Sequence, residues 1–310
     1  RVTRAAGVTS VVTMPRGGLI SGQAALINLD GTTPDEMSVI PSAALVINFP
    51  RVSTTTPGGS IFAPPQPVNL GDAITTRDKQ VDQLRKLLRD AEAYGRAHDA
   101  YARDPRLPRP DENVVLASLV AVVRGTTPVI IRADRETEVR AAIRFCDEMR
   151  LQRPIIMGGD EAWKVAALLK ERDASVILAG VLRLPLREDD FYDTLYENAA
   201  KLRQAGVRFC ISTGDTGAHV RDLPYHAGMA SAFGLPRDEA LKAVTLYPAQ
   251  IMGAADRLGS IEPGKTANLV VTDGDLLEAR THVRYLFIKG RQLPLTSRHT
   301  ELYEQFKDRK

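Results

Sequence analysis

The sequence predicts an α/β protein in which helices cover a largely parallel sheet. Apolar runs bounded by turn residues, such as "PVIIRA", "PIIMGG" and "SVILAG", indicate buried strands. These runs alternate with amphipathic segments such as "ETEVRAAIRFCDEMR", a pattern typical of βα units whose connections wind in one direction. Two architectures satisfy this pattern, an open doubly wound sheet and a (β/α) barrel.

The first hundred residues add further strands and one long helix. We predict buried strands over 8–14 and 43–49, separated by a glycine-rich loop or hairpin. Residues 50–71 are rich in Pro, Gly, Thr and Ser and are predicted to form a long loop. The charged segment 72–102 is predicted to be one helix with an apolar stripe that includes Leu84 and Leu88.

The pattern changes near residue 257, where short alternating strands replace the βα units. Residues 268–272 and 282–289 are predicted strands with turn residues between them, followed by a surface helix in the tail. We predict about six parallel strands before this point, whereas a full barrel has about eight. The shortfall is expected at the N-terminus, because "RVTRAAGVTSVVTMP" begins without Met and enters a strand almost at once.

Composition excludes several classes of protein. The chain of 310 residues carries 41 basic and 38 acidic side chains, with no basic block of the kind that binds nucleic acid. Its apolar runs are far shorter than the ~18 residues that span a membrane. Cys146 and Cys210 lie in apolar segments and are predicted to be buried free thiols. They therefore do not indicate whether the protein works in an oxidising or a reducing cellular compartment.

Residues 235–290 resemble the C-terminal signature of the amidohydrolase superfamily, in its imidazolonepropionase-like branch. The most specific part is "RLGSIEPGKTANLVV", where the chain would leave a barrel and enter a small β domain. The opening "AAGVTSVVTMPRGGLISGQAALINLDG" is also similar to this branch. Asn268 departs from the pattern, since the family usually has Asp at that position.

The resemblance implies a metal-dependent-hydrolase fold, a (β/α)8 TIM-type barrel whose first strand is missing from this chain. It divides the chain into a barrel domain over 1–256, a small element of a composite β-sandwich over 257–294, and a C-terminal helix or tail over 295–310. Family members bind one or two divalent metals at the carboxyl-terminal mouth of the barrel. The implied activity is hydrolysis of a C–N bond in a cyclic amide or peptide-like substrate.

Asp215 in "ISTGD" matches the Asp on the family's eighth strand. The resemblance implies that it shuttles a proton or ligates a metal, whereas the residues alone also fit a turn cap. His219 is the second weak metal candidate. The family's His-x-His pair is absent from the sequence, so a divalent metal, zinc first of all, is expected only if a preceding segment supplies ligands; otherwise none is expected.

At two further positions where the family has metal ligands, this sequence has residues that do not bind metal. Arg132 stands where the fifth-strand His is expected, and Gly158 and Gly159 occupy the sixth-strand position. A guanidinium does not ligate a divalent metal but binds carboxylate or phosphate, with Asp134 beside it. The alternative is an ion pair from Arg132 to Asp134 or Asp215. The two glycines are predicted either to offer N–H groups to an anion or only to form a tight turn.

Three hypotheses of function follow. The first is an amidohydrolase with a degenerate or incomplete metal centre, acting on a small-molecule substrate. The second is a non-catalytic barrel that binds an anionic ligand or serves as an assembly subunit. The third, a doubly wound ligand-binding domain, is disfavoured by the "SIEPGKTANLVV" signature. The superfamily resemblance adds a homodimer as an expectation and leaves export to the periplasm or cell exterior open.

Overall fold

A computed structural model of the chain describes residues 2–55, 66–214 and 217–309. Of the predicted loop 50–71, only residues 50–55 and 66–71 are described, because residues 56–65 lie outside the described part. Asp215, the predicted catalytic residue, also lies outside the described residues.

A seven-stranded sheet forms the centre of the molecule, and its spatial order follows the chain. The first three strands form an antiparallel meander, and the third to the seventh run parallel to one another. The strands are β1 (Ser10–Thr13), β2 (Ile20–Asn28), β3 (Ser38–Asn48), β4 (Val129–Ala133), β5 (Ile155–Gly158), β6 (Ser175–Ala179) and β7 (Arg208–Ser212).

The α/β prediction is confirmed, and the sheet is a curled half-barrel. The prediction of about six parallel strands is wrong, since five strands form the parallel ladder in the described residues. The glycine-rich segment after β1 forms β2, which lies between β1 and β3 and runs antiparallel to both. Gly22, with a φ of 124°, and the register shifts along β2 hide the strand pattern from the sequence.

Helices cover the sheet and fill its crossovers. The predicted charged helix is confirmed as one long helix from Leu70 to Arg103, with Leu84, Leu88 and Ala91 buried in the core. The α-helices are α1 (Val2–Ala5), α2 (Pro34–Met37), α3 (Leu70–Arg103), α4 (Val114–Val123), α5 (Glu136–Met149), α6 (Ala166–Glu171), α7 (Thr194–Ala205), α8 (Leu223–Ala232), α9 (Arg237–Lys242), α10 (Leu246–Ile251) and α11 (Arg298–Phe306). Two 3₁₀ helices span Ala162–Val165 and Gly217–Asp222.

A second, antiparallel sheet follows the helices and contains three strands in the described residues, β8 (Leu269–Thr272), β9 (Val283–Ile288) and β10 (Arg291–Leu293). The first two confirm the predicted strands. The sequence analysis missed β10, which is three residues long and follows a turn at Gly290. The predicted tail helix is α11. Whether this sheet belongs to a composite β-sandwich, and where the domains divide, stay predictions.

The core lies between the sheet and its helices. Leu45, Ile131, Ile156 and Phe209 are buried on the sheet against apolar residues of α3, α5 and α7. Both cysteines are free and buried, as predicted, and burial raises the pKa of Cys146 and of Cys210 to about 12. Among the described helices, none combines the length and the apolar character needed to cross a lipid bilayer.

Candidate functional site

A cavity of about 580 Å³ opens where the parallel strands end. Gly158 is the last residue of β5, Ala179 is the last residue of β6, and Thr213 follows β7. In α/β sheets and barrels, ligand sites lie at this carboxyl-terminal edge because the loops there carry the variable side chains. The polar side chains in the cavity wall are those of Arg132, Asp134, Arg183, Thr213, His219, Asp222 and His226.

Four of the sequence-predicted residues meet in this cavity. Arg132 lies near the end of β4, Asp134 follows that strand, Gly158 ends β5, and His219 belongs to the 3₁₀ helix after β7. The ends of β4 and β5 are adjacent in the parallel ladder, which brings Arg132, Asp134 and Gly158 together. Their roles in binding a ligand stay predictions.

Gly158 and Gly159 form a sharp turn at the end of β5, with φ values of 108° and 65°. A side chain at Gly158 would overlap the Asp134 carboxylate, and one at Gly159 would approach Val176 within 2.9 Å. The N–H of Gly159 donates to the carbonyl of Ala133 at 2.9 Å. This contact favours the tight-turn interpretation for Gly159, because its N–H already has an acceptor.

Asp160 and Arg183, which no sequence pattern had singled out, form an ion pair at the cavity wall. Asp160 follows the glycine turn and is 5% exposed, and its Oδ1 accepts a hydrogen bond from Nη2 of Arg183. The same nitrogen of Arg183 lies 3.9 Å from Oδ1 of Asp134. A polar residue directly after a strand and a "GG" turn was the available signal for Asp160. Arg183 lies in an irregular loop that gave none.

The environment of Asp160 changes its proton affinity. Burial, and secondly the negative charge of Asp134, raise the pKa of Asp160 to about 7, although Arg183 acts in the opposite direction. A carboxyl group in a cleft whose pKa lies near 7 is common at functional sites. Ion pairs with a purely structural role shift pKa values as well. Asp160 therefore exchanges its proton close to physiological pH.

Contacts from two helices hold this turn in place. The amide of Asn198, on α7 and 2% exposed, donates to the carbonyls of Gly159 at 2.9 Å and of Asp160 at 3.2 Å. The buried carboxylate of Glu161 accepts from the N–H of Glu136 at 2.8 Å, at the start of α5. Glu161 also binds Lys164 at 2.8 Å and Arg187 at 3.1 Å. Asp160 consequently has a fixed backbone position.

Two histidines complete the cavity wall. His219 is exposed, and its Nδ1 lies 3.1 Å from Oδ2 of Asp222. His226, on α8, is 5% exposed, and burial lowers its pKa, which favours the neutral imidazole at pH 7. From the sequence, His226 was a weak candidate for metal ligation, like His219, because both follow Asp215 near the predicted barrel mouth; that role stays a prediction.

The family's metal centre needs several ligands that converge on one point. A catalytic zinc site takes three protein ligands, drawn from His, Cys, Asp and Glu. Within residues 2–55, 66–214 and 217–309, no such group of three converges on one point. Arg132 places a permanent positive charge in the same cavity. The described residues thus do not fit a metal centre, and no reaction step is assigned to one.

The chain is an α/β half-barrel protein with a cavity at the ends of its parallel strands. The family model of the amidohydrolase family matches residues 160–293, which are less than half of the chain. The superfamily prediction is thereby confirmed, while the imidazolonepropionase-like branch stays a prediction. A solved amidohydrolase from Thermotoga maritima MSB8 superposes with a TM-score of 0.79 over 94% of this chain and 74% of that chain. At 24% identity, this likeness establishes the fold alone.

Two curated relatives match short segments. An N-acetylglucosamine-6-phosphate deacetylase from Haemophilus influenzae is 39% identical over 64 residues, which are 20% of this chain and 17% of that protein. A protein of Escherichia coli K12 named "Putative N-acetylgalactosamine-6-phosphate deacetylase" is 33% identical over 89 residues, 29% of this chain and 47% of that protein. The matches therefore cover less than half of either relative's length.

Proposed function

We propose that the cavity at the strand ends binds a small molecule that carries a carboxylate or a phosphate. The observation that carries this proposal is the presence of two guanidinium groups, Arg132 and Arg183, in the wall of one cavity. They reach it from different elements, β4 and the loop after β6. Guanidinium groups bind planar carboxylates and phosphates through paired hydrogen bonds.

The remaining polar groups define the rest of the ligand. Asp134 and Asp222 also line the cavity, so acceptors for hydroxyl or amino groups accompany the two cations. The names of both deacetylase relatives describe phosphorylated amino sugars, molecules that combine an anion with such donors. A polar ligand with one anionic end and several hydroxyl or amine groups matches this cavity best.

A second candidate function is hydrolysis of a C–N bond, which the amidohydrolase-family match and the two deacetylase relatives support. In this proposal Asp215 moves a proton, as the family resemblance implies. A divalent metal would then need ligands beyond those in the described residues. The two candidates share the cavity and differ in whether the ligand is changed. Homodimer formation and export remain predictions.

The binding proposal is tested by calorimetric titration with matched anionic and neutral probes. N-acetylglucosamine 6-phosphate and succinate are compared with N-acetylglucosamine and succinamide. We expect at least one anion to bind about tenfold more tightly than its neutral counterpart. Arg132→Gln should remove that preference, whereas Arg144→Gln, which changes an exposed arginine on α5, should not. Equal binding of all charged and neutral probes contradicts the proposal.

Hydrolysis is tested on the same sample by measuring acetate released from N-acetylglucosamine 6-phosphate. Elemental mass spectrometry of the purified protein, together with its intact mass, reports any bound metal. Acetate release that chelation abolishes, with stoichiometric metal, establishes the hydrolase and places ligands outside the described residues. Anion binding without acetate release, with or without added zinc, favours the binding protein.

A further inference from the structure

We infer that Arg183 is an anion contact of this cavity and that Asp160 is the positioning residue that holds or releases it. Binding of an anion would then be coupled to uptake of a proton by Asp160. This inference rests on the proposed binding function and adds a regulation to that site. It is carried by the geometry of the Asp160–Arg183 pair.

The Asp160 carboxylate is buried, and only one of its two oxygens accepts a hydrogen bond in the described residues. Its Oδ1 accepts from Arg183, whereas its Oδ2 is buried and has no hydrogen-bond partner among the described residues. A buried, unpaired carboxylate oxygen is costly while it is charged. A proton on Oδ2 lowers this cost by removing the charge, without moving the backbone, which Asn198 and Glu161 hold in place.

Charged groups from several elements face Asp160. Asp134 approaches from the end of β4, and Arg183 from the loop after β6. Glu161, the next residue in the turn, adds a negative charge, but Lys164 and Arg187 bind its carboxylate. Asn198 of α7 contributes neutral hydrogen bonds to backbone carbonyls. Asp160 and Asp134 therefore both place a carboxylate oxygen within 3.9 Å of Nη2 of Arg183.

Arg183 keeps donors for a ligand. Its side chain is 46% exposed and lines the cavity, its Nε donates to the Gly180 carbonyl at 3.4 Å, and Nη2 serves Asp160. Its Nη1 has no hydrogen-bond partner in the part of the chain that the structure describes. When both acids are ionised, their charges offset Arg183 and oppose an incoming anion. Protonation of Asp160 removes the nearest of these negative charges, while Asp134, 3.9 Å away, and Asp222 in the cavity wall still oppose the anion.

The direction of the pH effect follows from this competition. With its pKa raised to about 7, Asp160 is mostly protonated at pH 6 and mostly ionised at pH 8. If only the protonated form releases Arg183, anion affinity falls about tenfold between these pH values. By linkage, binding near pH 7 takes up a fraction of a proton.

The test is calorimetric titration of the full chain with sulfate, whose charge is constant from pH 5.5 to 8.5. We expect affinity about tenfold weaker at pH 8 than at pH 6. Asp160→Asn keeps the shape and removes the charge, so its sulfate affinity at pH 8 should equal the wild-type affinity at pH 6. Arg183→Gln should abolish binding at both pH values, and Arg144→Gln should change neither.

Each alternative result has a distinct meaning. Sulfate binding that does not vary with pH overturns the coupling and leaves the binding function standing. A pH dependence that persists in Asp160→Asn assigns it to another group, such as His219 or His226, and also overturns the inference. Absence of sulfate binding to the wild-type protein at any pH overturns the inference; succinate and N-acetylglucosamine 6-phosphate then test the binding function separately.

A measurement on the wild-type protein keeps the test valid if Asp160→Asn does not fold. Titrations at pH 7 in buffers of different ionisation enthalpy give the number of protons taken up per sulfate. Carboxyl-carbon NMR shows whether an aspartate titrates near pH 7 and whether sulfate shifts that titration upward. No aspartate titrating in this range, or no shift with sulfate, overturns the inference.

Discussion

The side-chain amide of Asn268 donates to the side-chain oxygen of Asn28 at 2.8 Å and so joins the small sheet to the large one. The same amide donates to Oγ of Ser10 at 3.0 Å, and its oxygen accepts from the N–H of Lys289 at 3.0 Å. Asn28 is 2% exposed, so its end of the Asn268–Asn28 contact is shielded from water. Asn268, the departure from the family pattern, holds the two sheets together and lies at their junction.

Replacing Asn268 by Ala should lower the free energy of unfolding by about 2 kcal/mol, because it removes three hydrogen bonds, to Asn28, to Ser10 and from Lys289. Asn268→Asp should cost less than about 1 kcal/mol, since the Asn28 amide can turn and donate to the new carboxylate. Urea unfolding measures both. Gln292→Ala, at an exposed site on β10, is the control, and an equal loss in all three variants contradicts this account.

Asn198→Ala should destabilise the protein by about 2 kcal/mol, because it removes two buried hydrogen bonds to the turn after β5. Gln204→Ala on the same helix changes an exposed side chain and should cost less than about 0.5 kcal/mol. Thermal unfolding distinguishes the two. If Asn198→Ala unfolds at the wild-type temperature, the carbonyls of Gly159 and Asp160 do not depend on this amide.

Gly158→Ala should destabilise the protein by more than about 2 kcal/mol and weaken anion binding, because the methyl group would displace the Asp134 carboxylate. Gly253→Ala is the matched control. Gly253 also has a positive φ, 69°, but nothing lies within 4 Å of the position where its side chain would stand. It should show only the cost of the backbone conformation, about 1 kcal/mol. Equal losses at both sites would mean that the carboxylate accommodates the methyl group.

Glu239 is expected to stabilise the fold at neutral pH and not in acid. Burial by itself raises the pKa of this carboxyl group, but hydrogen bonds from Tyr247, Lys242 and Arg203 outweigh it and lower the pKa to about 2. Tyr247 donates at 2.7 Å, Lys242 at 3.0 Å and Arg203 at 2.5 Å. An unfolded glutamate has a pKa of about 4.3, so this stabilisation is present above about pH 4.3 and is lost as the pH falls towards 2.

Glu239→Gln should therefore lower the unfolding free energy by about 2 kcal/mol at pH 7, allowing for the exposure of Arg203 and Lys242. The difference from wild type should shrink as the pH falls from 4.3 to 2. Chemical unfolding at several pH values measures it. Glu304→Gln, which removes an exposed ion pair to Lys307, should show no more than about 0.5 kcal/mol at any pH. A Glu239→Gln deficit that persists unchanged to pH 2 would show that lost packing, rather than the charge, causes it.

The strands β4 to β7 were predictable because each is a continuous apolar run, and a strand buried on both faces requires that pattern. The strand β2 was not, because its glycine and irregular register break the alternation that marks a strand. These strand ends, together with the ligand positions implied by the family resemblance, pointed to Arg132, Asp134 and Gly158. Sequence reasoning missed Arg183, since no periodic pattern places a loop residue against a partner 23 positions away.

The sequence by itself determined the α/β class, the long helix α3, the antiparallel element near the C-terminus and the family resemblance. These depend on local periodicity and on short motifs, which neighbouring residues set. Only the tertiary structure decided that Asp160, Asp134 and Arg183 lie together and that burial raises the pKa of Asp160 to about 7. Burial and the distance between charges depend on how β4, β5 and the loop after β6 pack against one another, and local sequence does not encode that packing.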